Sequence, residues 1–247
     1  MDKNMDELTD RQTQILKAII EEYIETAAPV GSETLDKKYN LGVSPATIRN
    51  EMVKLTKTGL LKQPYISSGR TPSSTALKFY VNQLMEEKEL SVADEVAVKE
   101  KIWDYRHQLN HLFREMTRAL ADKTNSLAVM ITDKGNVYHS GYAKILDIPE
   151  FFDIDITKGV LSLIEDFDQL SRFFDKAGSE ELIHILIGED FDLETLESCS
   201  LVFTNFEVKD KVKGSLGVVG PCRLNYPLII PTVKYFGNLL EEILGSL

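Results

Sequence analysis

The chain has 247 residues, 43% of them hydrophobic and 27% charged, with 28 Lys+Arg against 39 Asp+Glu for a formal net charge of −11. That length holds one large or two ordinary soluble domains. No apolar run reaches the roughly 20 residues that cross a bilayer, and two cysteines are too few for a disulfide framework. The acidic, polar start MDKNMDELTD does not fit a secretory signal, so a cytoplasmic chain with reduced thiols is expected.

Thr9-Asp10-Arg11-Gln12 has the form of a capping box. Ile15, Leu16, Ile19, Tyr23 and Ile24 then recur at helical spacing, and the helix is expected to stop before Pro29. Ser32 caps a short second helix ending near Tyr39, and Asn40-Leu41-Gly42-Val43 is a turn. Ser44-Pro45, a cap followed by proline at the first helical position, opens a third helix that runs to about Thr58 and ends at Gly59. An extended run, residues 60–66, and a polar turn, Ser67-Ser68-Gly69-Arg70, precede a helix opened by Pro72 and carrying Leu77, Tyr80, Val81 and Leu84. Three short helices, an extended hairpin and a closing helix predict a winged helix-turn-helix over residues 1–88.

Residues 89–123 read as one long linker helix. Val98, Ile102, Tyr105, Leu109, Leu112, Met116 and Ala119 form a heptad seam of about three heptads, which suits either a coiled-coil dimer or packing on the helix's own domain. Residues 124–247 read as mixed α and β. A hairpin is expected around Thr132–Asn136 and a helix from Val160 to Phe174. Strands are expected over 181–188, 199–206 and 214–221, and a last helix opened by Pro231 carries Val233, Phe236, Leu239, Leu240 and Ile243.

The charge is uneven. Residues 1–88 hold 12 basic and 12 acidic side chains, residues 89–247 hold 16 and 27, and residues 29–80 hold 8 and 3. The acidity is therefore an average over a basic block and an acidic remainder, and the block falls on the third helix and the hairpin. With Ile48, Met52 and Leu55 turned inward, Ala46, Thr47, Arg49, Asn50, Val53 and Lys54 turn outward. A helix in the major groove needs a fixed end, a small or polar outer face and phosphate anchors. Ser44 and Pro45 fix the end, with free backbone N–H groups there for a phosphate. Arg49 suits guanine O6/N7 and Asn50 suits adenine N6/N7, while Lys54 and Lys57 suit phosphates. Ser67, Ser68, Gly69 and Arg70 are expected at the wing tip, with Arg70 placed to enter a minor groove.

No catalytic set is legible. His107 and His111 lie four apart without a third metal ligand, and the glycines of GSLGVVG lack the Lys-Ser/Thr of a phosphate loop. Neither G-x-S-x-G nor H-E-x-x-H occurs, and Cys199 and Cys222 sit among apolar residues. No enzyme activity, metal or cofactor is expected.

The stretch PVGSETLDKKYNLGVSPATIRNEMVKLTKTGLLKQPYISSGRTPSSTALKFYVNQLM resembles the N-terminal domain of the HrcA family of bacterial heat-inducible repressors. Its pieces VGS..L, VSPATIRN, GLL.QP..S.GR.P and FYV are together far more specific than a generic helix-turn-helix. Downstream, IPEF, IGED, CSLVF and GSLGVVGPCRLNYPLIIPTVKYFGNLL resemble that family's C-terminal core. The resemblance implies an α+β chain whose C-terminal part, residues 124–247, is a GAF-like α/β domain for regulation and dimerisation. It implies a homodimer binding double-stranded operator DNA with an inverted repeat upstream of chaperone genes, nucleoid-associated when bound. It also implies assistance by a GroE-type chaperonin, so that unfolded protein occupying the chaperonin relieves repression. Family members are considerably longer, and the dimerising domain inserted in their GAF-like domain is expected to be largely missing here. Dimerisation then falls to the helix 89–123, the GAF-like domain, or both. The alternative reading is a small-molecule-responsive transcription factor with the GAF-like domain as sensor. A weaker rival is a DNA-free chaperonin client or interaction module.

Overall fold

The computed structural model describes residues 8–176, 182–208 and 211–246. It is a mixed α and β chain that divides into two compact units, one ending at Glu86 and the other beginning at Glu87.

In the first unit, α1 (Asp10–Thr26) starts at the expected capping box, in which the Thr9 hydroxyl accepts from Gln12 N–H and the Gln12 side chain accepts from Thr9 N–H. The helix ends at Ala27 in the left-handed conformation, two residues before Pro29. After it come α2 (Ser32–Tyr39), a turn with Asn40 and Gly42 at positive φ, and α3 (Pro45–Lys57). β1 (Leu61–Lys62) pairs antiparallel with β2 (Thr71–Pro72), and α4 (Ser74–Phe79) runs into a π turn over Tyr80–Leu84. Pro72 therefore closes the hairpin and does not open the helix; the Ser73 hydroxyl caps it by accepting from Ala76 N–H. Ile15, Leu16, Ile19, Leu35, Ile48, Met52, Leu55, Leu60 and Leu77 are each buried in this unit. The elements that carry or flank them pack on one another, α1 against α2, α3 and β2, and α3 against α2 and β1.

The single helix expected over 89–123 is two helices, α5 (Val92–Trp103) and α6 (Leu109–Thr124). The chain turns between them through Tyr105 N–H to Ile102 O and Gln108 N–H to Tyr105 O. Leu112, Met116 and Ala119 of the seam are buried, with Phe113 and Leu120 beside them, because α6 packs on its own unit's sheet. α5 is fastened to the same unit by Lys123–Asp94 at 2.6 Å and by the Tyr235 hydroxyl on the Glu95 carbonyl at 2.8 Å.

The rest of this unit is a five-stranded antiparallel sheet between helices. Its strands are β3 (Leu127–Thr132), β4 (Val137–Ser140), β5 (His184–Ile187), β6 (Cys199–Val208) and β7 (Val212–Pro221), in the order β4-β3-β7-β6-β5. The expected strand 181–188 is observed from His184; Glu181 lies outside the described residues. A short α7 (Tyr142–Ile145) follows β4. The helix expected from Val160 to Phe174 is α8 (Ile154–Glu165) and α9 (Phe167–Asp175), with Asp166 ending one and capping the next. Alternate residues separate the two faces. Leu127, Val129, Ile131, Leu201 and Phe203 meet Val160, Leu163, Leu170 and Phe174 in one core. The opposite face carries α6 and α10 (Tyr226–Gly245), with Phe206 against Phe113. Burial on both sides explains why β3 is apolar from Leu127 to Ile131 instead of alternating.

Pro231 does not open the last helix; it lies inside α10, which starts five residues earlier at Tyr226. A proline there removes the donor for the carbonyl of Pro227 four residues back. Lys88 N–H takes that carbonyl at 2.8 Å, so the helix continues without an orphaned acceptor. The motifs IPEF and GPCR, 73 residues apart, meet through a bidentate pair in which Arg223 donates to both Glu150 oxygens at 2.6 and 2.9 Å.

Candidate nucleic-acid interface

α3 is fixed at both ends. The Ser44 hydroxyl accepts from Thr47 N–H and also bonds the Thr47 hydroxyl, Ile48 N–H bonds the Ser44 carbonyl, and Pro45 has no N–H. Among the described residues the Ala46 N–H has no acceptor, and it lies at the positive end of the helix. At the other end, Leu60 N–H bonds Leu55 O and Gly59 N–H bonds Thr56 O, with Gly59 at φ 80. These are the two bonds of a Schellman stop, which needs glycine at that position. Ile48, Met52 and Leu55 face the core. Ala46, Arg49, Asn50, Val53, Lys54 and Lys57 are exposed.

The basic residues of this face are in different situations. Lys54 donates to the Glu51 carboxylate at 2.9 Å, and Gln12 of α1 donates to its other oxygen at 3.1 Å. Glu51 is only 8% exposed. The Lys54 ammonium and then the Gln12 amide hold its carboxyl below the usual carboxylate range, against the opposing effect of burial. Lys54 is thus committed to locking α3 onto α1, although its own side chain is 60% exposed and open to a second contact. Lys38 is similarly engaged by Glu22 and Glu25, both at 2.6 Å. Arg49, Lys57 and Lys62 have no ion pair or hydrogen-bonded side-chain partner among the described residues. Asn50 is likewise unengaged, so its amide is free to bond a base edge.

The hairpin differs from the expected wing in which side chains it offers. Arg70 is not at its tip. Its Nε donates to the Thr56 hydroxyl of α3 at 3.0 Å, and its Nη1 donates to the Ser68 and Gly69 carbonyls at 3.3 and 3.2 Å. Its backbone pairs with Val30 through two bonds of 2.9 Å. A Cβ on Gly69 would lie 2.3 Å from the Val30 carbonyl oxygen, so glycine is required there for close approach and not for a left-handed turn. The Ser68 hydroxyl is also spent internally, donating to the Tyr65 carbonyl and accepting from Tyr65 N–H. The tip is Tyr65-Ile66-Ser67, all exposed. A cleft of about 400 Å³ lies between the hairpin and α3, with Arg49, Arg70, Gln63 and Ser32 in its walls and no carboxylate among the described residues that line it.

Of the sequence-predicted site residues, the structure brings Ala46, Thr47, Arg49, Asn50 and Lys57 together on α3 as an open face. Ser44 caps that helix, Lys54 pairs with Glu51, and Ser68 and Arg70 brace the hairpin. Sequence reasoning missed Ile66, whose β-branched apolar side chain reads as a core residue, and Thr56, which looks like routine helix filling. In the second unit, a cleft of about 410 Å³ is lined by Phe167, Phe174, Asn205, Lys213 and the acids Asp133, Asp175, Glu207 and Glu241. The Cys199 thiol is buried, which pushes it up to about 12, while Cys222 is half-buried.

Residues 46–230, three quarters of the chain, match the HrcA protein C-terminal domain. The chain is similar to the heat-inducible transcription repressor HrcA of Symbiobacterium thermophilum, 28% identical over 336 aligned positions that cover 96% of this chain and 98% of the relative. It is 27% identical to the protein of the same name from Acetivibrio thermocellus, over 95% and 96% of the two chains. An alignment of 336 positions exceeds the 247 residues here by 89, so the first relative carries at least that many residues without a counterpart in this chain. The fold is shared with a crystal structure of a hypothetical protein at 2.2 Å resolution, with a TM-score of 0.78 at 17% identity over 97% of this chain and 99% of that one.

Proposed function

The chain belongs to the HrcA family, and from that premise we propose that it represses heat-shock chaperone genes by binding an inverted-repeat operator as a homodimer. The first unit is a winged helix-turn-helix in this reading, with α3 as the reading helix and the β1–β2 hairpin as the wing. The second unit is the GAF-like regulatory and dimerisation domain. The observation that carries the proposal is the exposed face of α3, where Arg49, Asn50 and Lys57 stand without partners among the described residues on a helix capped at both ends.

In the major groove, Arg49 takes guanine O6 and N7 and Asn50 takes adenine N6 and N7. The Ala46 N–H at the helix start, Lys57 at its end and Lys62 on the hairpin hold phosphates and set the register. Lys54 keeps the helix seated through Glu51 and reaches the backbone from the same position. The acidic second unit repels polyanions that the first does not specifically seat. An inverted repeat requires two such readers related by a two-fold axis. Dimerisation is assigned to the second unit, with the α6 seam already engaged in that unit's own packing. The resemblance further supports a GroE-type chaperonin partner and a cytoplasmic site of action.

Mobility shift with the inverted repeat of the cell's own chaperone promoter, beside sedimentation at tens of micromolar, tests this. A dimer that loses the shift when one half-site is scrambled is expected. A monomer that binds the whole repeat no better than one half-site contradicts the dimer, and no shift on any duplex contradicts the DNA reading.

A further inference from the structure

Ile66 is 99% exposed and its neighbour Tyr65 is 63% exposed. A solvated isoleucine on a loose loop needs no explanation, but this loop is held. Gln63 Nε2 donates to the Ile66 carbonyl at 2.8 Å. The Ser68 hydroxyl donates to the Tyr65 carbonyl at 2.7 Å and accepts from Tyr65 N–H at 3.1 Å, and Ser68 N–H bonds the same carbonyl at 3.0 Å. Behind the tip, Arg70 and Val30 pair through their backbones and the Arg70 guanidinium ties the hairpin to Thr56 of α3. The backbone entropy of the tip is thus lost on folding, and its apolar side chain projects from a base fixed relative to α3. The space between tip and helix is the cleft walled by Arg49 and Arg70, with no carboxylate among its described lining residues, which suits a polyanion strand.

Resting on the reading that this unit binds DNA, we propose that Ile66 is an apolar wedge. It enters the minor groove beside the half-site read by α3 and opens one base step, while Tyr65 packs on the adjoining deoxyribose and the Arg70 wall of the cleft seats the phosphate between the two grooves. Apolar side chains inserted at a base step unstack it and bend the duplex. Pyrimidine–purine steps yield most easily, so the wedge selects a flanking step by its deformability, at a position where no base edge is read.

The test uses the full chain and a duplex carrying the inverted repeat of its own chaperone promoter, with 2-aminopurine placed in turn at the steps flanking each half-site. The fluorescence should rise on binding at one flanking step. Ile66→Ala should lower affinity about tenfold, from the apolar area it no longer buries, and abolish the rise. Its thermal unfolding should match the parent protein, because the side chain is fully solvated in the free chain. Replacing the flexible flanking step with an A-tract should weaken the parent protein and not Ile66→Ala. Equal binding by Ile66→Ala, or an affinity loss with no fluorescence rise in the parent protein, overturns the wedge and leaves DNA reading by α3 standing. Failure of the parent protein to bind any duplex removes the DNA reading, and the wedge with it.

Discussion

Replacing Arg70 by alanine separates two accounts of the hairpin. In the structure the guanidinium makes one well-placed bond to the Thr56 hydroxyl at 3.0 Å and two longer ones to the Ser68 and Gly69 carbonyls at 3.3 and 3.2 Å. A bond from a charged donor contributes about 1.5 kcal/mol at the low end of its range, and the two longer ones add about 0.5 kcal/mol together, so the local loss is about 2 kcal/mol. The Val30–Arg70 backbone pair survives the substitution but becomes easier to open. Amide exchange at residues 30 and 70, the two donors of that pair, should therefore quicken about thirtyfold. DNA affinity should fall alike for operator and random duplexes, because the hairpin loses its position and no base contact is removed. Arg70→Lys should not restore protection, since an ammonium cannot reproduce the fork. Unchanged exchange combined with an altered base preference would instead restore Arg70 as a minor-groove reader.

Three further outcomes follow from the helix face. Arg49→Ala should weaken operator binding by about 1–3 kcal/mol and relax preference at one base pair, measured by competition with operator variants; an equal loss on random DNA would mean a phosphate role. Lys57→Ala should weaken binding to every sequence alike and reduce the log–log salt slope by about 0.9 per site. The Glu51 carboxyl titrates below its unfolded value, so its contribution to stability is fully present above the ordinary carboxylate range and is lost as pH falls through the lowered folded value. Acid titration of unfolding should accordingly show a shallower low-pH loss for Glu51→Gln than for the parent protein, and identical limbs would show that the bonds Lys54 and Gln12 donate to Glu51 add nothing.

The parts of the molecule legible in the sequence were those set by neighbours in the chain. The Thr9–Gln12 capping box, the Ser44-Pro45 start of α3 and its Gly59 stop each depend on residues within one turn, and each is observed. The open face of α3 followed from its 3.6-residue period. The misread parts depend on distant partners. Arg70 turns inward because Val30, forty residues earlier, pairs with it and Thr56 receives its Nε. Pro231 is tolerated within α10 because Lys88 supplies the missing donor from the far end of the same unit. The break between α5 and α6 falls at Asp104–Gln108, a stretch with neither proline nor glycine to mark it, and α6 owes its position to the sheet it covers.

In the function proposed, this acidic chain reads DNA through one local basic face. Equilibrium binding of the full chain to its own chaperone-promoter repeat and to a scrambled duplex, from about 50 to 200 mM salt, tests it most directly. Six to ten phosphate contacts from a dimer predict a log–log slope of roughly −5 to −9 for the repeat, with affinity at least about a thousandfold above the scrambled duplex at every salt concentration. A flat salt dependence, or equal affinity for the two duplexes, would rule out sequence-specific reading by that face.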